Sequence, residues 1–141
     1  MTMRALTGLA AATLLLGGCE TAFVGRAPSG RFDLVEVNGR PLPFSIDPAS
    51  HCPVRIEGGR FELDSLARRF EMVLERSGPC AGLAADTVER GSYLRRGGRL
   101  DLETEAPAGA RRALVASESG GAISLAYDRL RLRFRQAARP R

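Results

Sequence analysis

The chain has 141 residues, and its charge of +5 is the balance of 21 basic residues, every one an arginine, against 16 acidic ones. That length suits one domain and disfavours two, while 44% apolar content suffices for a core and excludes wholesale disorder. One histidine, three cysteines and no tryptophan leave few side chains for a metal centre or a histidine-based catalyst.

Taken in chain order, residues 1–18 come first. Arg4 supplies a short basic region, and Ala5 to Leu16 is almost wholly apolar. That run has the length of a secretory core and falls short of the ~20 residues of a spanning helix. It ends Leu16-Gly17-Gly18-Cys19, which resembles the bacterial lipobox: an aliphatic residue three before a cysteine, with small residues between. The resemblance implies cleavage before Cys19, acylation of its thiol, and anchoring to a membrane by two or three acyl chains. An ordinary secretory peptide with an incidental cysteine is the other reading. Glu20 follows the cysteine, where aspartate signals inner-membrane retention in many Gram-negative bacteria. Its absence points to the periplasmic face of the outer membrane.

Residues 19–30 lack periodicity and contain Pro28, which reads as a tether. A domain is expected over 31–136, followed by a basic tail, 137–141. From Arg31 onward the signals are period two with turn residues at short intervals. Phe32 and Leu34 share one face of a first strand, whose alternation slips at Leu34-Val35 as a bulge would make it. Asn38-Gly39 marks a tight turn. Residues 41–46 are extended, with two prolines suited to an edge or a barrel mouth. Gly58-Gly59 is expected to be a two-residue hairpin loop between strands 53–57 and 60–64. Residues 68–75 place Phe70, Met72 and Leu74 on one face. Cys80 lies in a loop, and Val88 to Leu94 is extended. Gly97-Gly98 and Gly120-Gly121 give further hairpins, around a strand at 112–117. Asp128-Arg129 turns the chain into a last strand. There Leu130, Leu132 and Phe134 alternate strictly with Arg129, Arg131, Arg133 and Arg135.

With Cys19 set aside, Cys52 and Cys80 remain. In an exported protein the default for such a pair is a disulfide. The competing arrangement, a metal held by His51, Cys52 and Cys80, lacks a fourth ligand and asks adjacent residues to face one ion. No catalytic motif, metal-binding spacing or cofactor site is present, so the expectation is a non-enzymatic protein without metal or cofactor.

About eight to ten short strands with one apolar face each, joined by tight hairpins, predict an all-β fold. A small antiparallel up-and-down barrel of about eight strands removes exposed edges; a two-sheet sandwich is the alternative. Two stretches carry a resemblance. Gly30 to Pro43, GRFDLVEVNGRPLP, resembles the opening of small bacterial lipocalin-like (calycin-type) lipoproteins, and Gly91-Ser92-Tyr93 with Leu100-Asp101-Leu102 resembles a hairpin of theirs. The resemblance implies an eight-stranded barrel around an apolar cavity, hence a small apolar ligand. A filled core is the competing reading, since an eight-stranded barrel is just wide enough for either. A looser similarity to periplasmic protease or lysozyme inhibitors implies an interaction module contacting an envelope protein. Arg129, Arg131, Arg133 and Arg135 then read as a contact for anionic headgroups or an acidic partner, or as a solvated face paired with neighbouring acids. Nucleic acid is not expected as a partner of an exported protein.

Overall fold

The computed structural model describes residues 29–80, 82, 85–105 and 111–138. The signal segment, Cys19, the tether as far as residue 28, and Arg139 to Arg141 lie outside the described residues. Ten strands run in chain order: β1 (Gly30–Val37), β2 (Arg40–Pro41), β3 (Phe44–Ile46), β4 (Val54–Asp64), β5 (Arg69–Ser77), β6 (Thr87–Arg96), β7 (Arg99–Glu105), β8 (Arg111–Ser119), β9 (Ala122–Tyr127) and β10 (Leu130–Gln136). From β4 to β10 each strand pairs antiparallel with the next. β1 closes the circle by pairing with both β10 and β4. The result is a closed eight-stranded barrel, not a sandwich. Its two extra strands, β2 and β3, pair onto β1 and β4. Closure gives each barrel strand two partners and so removes the exposed edges that a flat sheet would present.

The period-two alternation holds because one face of each strand turns inward. At two points the parity must flip. In β1, Leu34 pairs with Phe134 but Glu36 pairs with Arg133, so Val35 is the extra residue and Val37 returns to the interior. In β4, Ile56 pairs with Arg76 but Gly58 with Glu75. There the bulge at Glu57 lets both Ile56 and Phe61 face inward, each fully buried.

That second bulge corrects the hairpin expected at Gly58-Gly59. The two glycines lie inside the continuous strand β4, and neither has the positive φ that a tight hairpin requires. Their small size serves close approach instead. A Cβ on Gly59 would stand 2.7 Å from the Val73 carbonyl oxygen and 3.3 Å from the Leu34 side chain. The turns expected elsewhere are present. Asn38-Gly39, Gly120-Gly121 and Asp128-Arg129 each hold two consecutive residues at positive φ, as the hairpin turn matched to strand twist requires. Asn38 also ties β1 to β10: its N–H donates to the Arg131 carbonyl at 2.8 Å, and its side-chain oxygen accepts from the Arg131 N–H at 2.8 Å.

Side chains fill the barrel. The Phe61 ring stacks on Phe70 with centroids 5.7 Å apart and meets Phe134, tilted, at 5.5 Å. Met72, Leu74, Leu100, Ile123, Leu125 and Leu132 are fully buried around them. Phe32, Leu34, Phe70, Met72, Leu74, Leu132 and Phe134, on the apolar faces read from the alternation, are all buried, and Leu130 is half-buried at a barrel end. Each fully buried side chain of this size contributes ~1.5–3 kcal/mol. Cys52 and Cys80 are disulfide-bonded, with Cα atoms 5.7 Å apart, so these thiols are not metal ligands. On the loop-entropy model, the closure of residues 52 to 80 contributes about 3–4 kcal/mol. It ties the segment after β3 to the loop after β5.

The hairpin order defines two barrel ends. One carries the turns at 65–68, 97–98 and 120–121, the start of β1 and the end of β10. The other carries the turns at 38–39 and 128–129 and the disulfide-tied segment.

Candidate functional site on the outer wall

The last strand projects its side chains as its alternation dictates. Leu132 and Phe134 are buried, and Arg131, Arg133 and Arg135 stand exposed on the outer wall. Arg129 is separate from that row. It occupies the second position of the turn into β10, at φ 68°, at the opposite end of the strand from Arg135. The four arginines therefore do not form one ladder; three do.

The neighbours of the row decide its chemistry. On the β1 side Arg133 faces Glu36, with 3.4 Å between Nη1 and Oε2. Arg135 lies opposite Asp33, whose carboxylate is held by Arg31 at 2.9 Å. On the β9 side the partners are uncharged: Arg131 pairs with Ala126, Arg133 with Ser124 and Arg135 with Ala122. The outward positions of β8 continue this floor with Ala113, Val115 and Ser117, and Ser117 pairs with Ser124. Beyond them, on β7, Arg99 marks the far side, bonded to Asp101 at 2.6 Å. Two depressions of about 400 and 430 Å³ occupy this region and share Ser117, Ser124 and Arg131. Among the described residues, the side chains of Arg131 and Arg135 form no ion pair. Together these features make a trough with a floor of Ala, Ser and Val and an arginine row along one wall.

The opposite wall is arranged differently. Glu71 on β5 accepts from Arg60 at 3.0 Å and from Arg90 at 2.6 Å. Those two arginines, Arg90 foremost, hold its carboxyl below the usual carboxylate range despite partial burial. Arg69 makes a two-point pair with Glu105 at 2.6 and 2.8 Å, and Arg111 reaches Glu103 at 2.9 Å. Charge on β4–β7 is largely neutralised within the wall. On β10, Arg131 and Arg135 form no ion pair among the described residues.

The barrel ends hold two polar groupings. At the end bearing the 128–129 turn, the Tyr127 hydroxyl donates to Glu89 at 2.6 Å. The Arg112 guanidinium lies 4.7 Å over the Tyr127 ring and pairs with Asp128 at 2.6 Å. Burial, and then the hydrogen bond to the Glu89 carboxylate, push the Tyr127 phenol well above its ordinary value of 10.0. A phenol whose pKa is raised on folding leaves stability unaffected below the unfolded value and withdraws it as pH rises beyond that. The urea midpoint is therefore expected to be flat from pH 7 to 9 and to fall above about pH 10. In the Tyr127→Phe variant the alkaline fall becomes shallower; an unchanged slope in a pH series of urea melts would refute the assignment. At the other end, Tyr93 is buried with its hydroxyl unbonded, near the half-buried pair Arg95–Glu118 at 3.1 Å.

Among the described residues no group of His, Cys, Asp and Glu is placed to hold a metal ion. His51 is exposed in the segment before β4. The neutral floor on β8 and β9 and the Tyr127–Glu89–Arg112 grouping are features that strand-by-strand reading passes over. The first does leave a trace: β8 and β9 alternate small uncharged residues with their apolar ones, where the other strands place Arg and Glu. No protein-family model matches the chain, nor does any curated protein or solved structure at a significant level.

Proposed function

We propose that the chain is a lipid-anchored periplasmic lipoprotein of lipocalin-like type with a non-enzymatic binding role, and that it binds an acidic segment of an envelope protein on the outer wall of β8–β10. The observation that carries this reading is the arginine row beside a floor without carboxylates, with Arg131 and Arg135 free of ion pairs among the described residues. An anionic chain laid in the trough meets guanidinium groups without displacing resident acids from the floor. The packed interior, centred on Phe61, Phe70 and Phe134, favours this surface over a cavity for an apolar ligand.

Exposed charge pairs contribute ~0.2–1 kcal/mol each, so contacts to Arg131 and Arg135, with Arg133 shared with Glu36, yield a weak, salt-sensitive complex. Tethering both partners to one envelope raises their effective concentration and offsets that weakness. Poly-glutamate titrated into the isotope-labelled chain is the test. Amide shifts are expected at Ser117, Ser124, Ala126 and Arg131, weakening as salt is added. The Arg131→Glu/Arg133→Glu variant is expected to lose affinity by about tenfold or more, since 1.4 kcal/mol is tenfold. Equal affinity in that variant contradicts the proposal.

A further inference from the structure

Leu66 is 97% exposed, the most exposed large apolar side chain among the described residues. It lies in the turn between β4 and β5, which holds it outward. The Leu66 and Ala67 N–H groups both donate to Asp64 Oδ1, at 2.9 and 3.0 Å. Arg68 takes φ 53° to complete the turn, and its carbonyl accepts from the Tyr93 N–H at 3.0 Å. The same barrel end receives the start of the described chain, since Gly30 pairs with Leu63 just before the turn. Only nine residues separate Cys19 from Ser29, so the two lie at most about 35 Å apart.

The charges around Leu66 have one sign to spare. Asp64 is committed to the turn, Asp33 to Arg31, and Asp101 to Arg96 and Arg99. Arg68 and Arg135 form no ion pair among the described residues. Two further arginines, Arg139 and Arg141, follow in the sequence after β10 ends at this rim.

We infer that this end of the barrel docks on an anionic phospholipid surface, with Leu66 inserted at the headgroup boundary and Arg68 and Arg135 against phosphates. The inference rests on the membrane-anchored reading above, because the short tether is what brings this end to the bilayer. It meets the trough only at Arg135, the rim end of the row; Arg131 and the floor on β8 and β9 run along the wall and stay open to a partner from the side.

The absence of tryptophan from the chain makes the test direct, because a Leu66→Trp variant carries a single tryptophan, excited selectively over the two tyrosines. The full chain is reconstituted into vesicles of phosphatidylethanolamine and phosphatidylglycerol containing nitroxide-labelled lipid; a Val88→Trp variant, exposed at the opposite barrel end where β6 begins, is the control. Emission from the position-66 variant is expected to shift to the blue and to be quenched at least twofold more than that from the control. Replacing Arg68 by Glu in the same background should reduce that quenching. Vesicle-bound protein whose two variants quench equally overturns the docking and leaves the anchor intact. Protein that stays in the supernatant overturns both. A blue shift without quenching that grows with protein concentration indicates a second copy on Leu66 and also overturns the proposal.

Discussion

Phe61→Ala is expected to lower the melting temperature by about 12–20 °C. Phe61 is fully buried and its ring contacts rings from two other strands, Phe70 on β5 and Phe134 on β10. Truncation removes the transfer free energy of the ring and leaves a cavity that a closed barrel cannot collapse to fill. Such changes cost ~3–5 kcal/mol, and for a domain of this size each kcal/mol moves the midpoint by about 4 °C. The comparison that isolates packing is Val115→Ala on the outer wall, 48% exposed, for which a change within about 0.5 kcal/mol is expected. Thermal melts followed by far-ultraviolet circular dichroism measure both. A Phe61→Ala midpoint within 5 °C of the parent would mean that the rings do not form the centre of the core.

Gly91→Val is expected to abolish the folded state. A Cβ at position 91 would lie 1.9 Å from the Glu103 carbonyl oxygen, 2.8 Å from its carbon and 2.9 Å from the Thr104 Cα. All three are backbone atoms of the paired strand, so no side-chain rotation relieves the clash. β6 and β7 would have to separate where Gly91 pairs with Thr104, and both are interior members of a closed circle. Ordinary Gly-to-larger substitutions in strands gain ~0.5–1 kcal/mol from reduced chain entropy; here the steric term reverses the sign and exceeds ~4 kcal/mol, the range reserved for a named structural failure. Gly97→Ala is the control. Gly97 has φ 62° with open space around it, so its replacement costs ~1 kcal/mol of backbone strain. Loss of amide dispersion in the Gly91→Val spectrum, with dispersion kept in Gly97→Ala, is the expected pair of results.

Much of the barrel was legible in the sequence because tight hairpins and period two are local signals. Asn38-Gly39, Gly97-Gly98 and Gly120-Gly121 turn where turn chemistry says they must, and Phe70, Met72 and Leu74 face inward as their spacing requires. Gly58-Gly59 misled for a physical reason. A glycine pair means either a left-handed turn or a close approach, and only the neighbours Val73 and Leu34 decide which. The bulge at Glu57 is equally silent locally, since it exists to reconcile the parity of Ile56 with that of Phe61 across the β4–β5 register. The site was half legible. The alternation of β10 announces Arg131, Arg133 and Arg135, but Arg129 leaves the row because the turn, not the strand, holds it. The floor of the trough depends on the pairings Ser117–Ser124 and Ala126–Arg131, which are properties of register.

The proposed role joins a filled barrel to binding on its outer wall. The titration of poly-glutamate into the isotope-labelled chain tests it most directly, because every wall reports at once. Shifts confined to the outward residues of β8, β9 and β10, with Phe61, Met72 and Leu125 unmoved, are the predicted result. Shifts centred on those interior residues, or none on the β8–β10 wall, would contradict it.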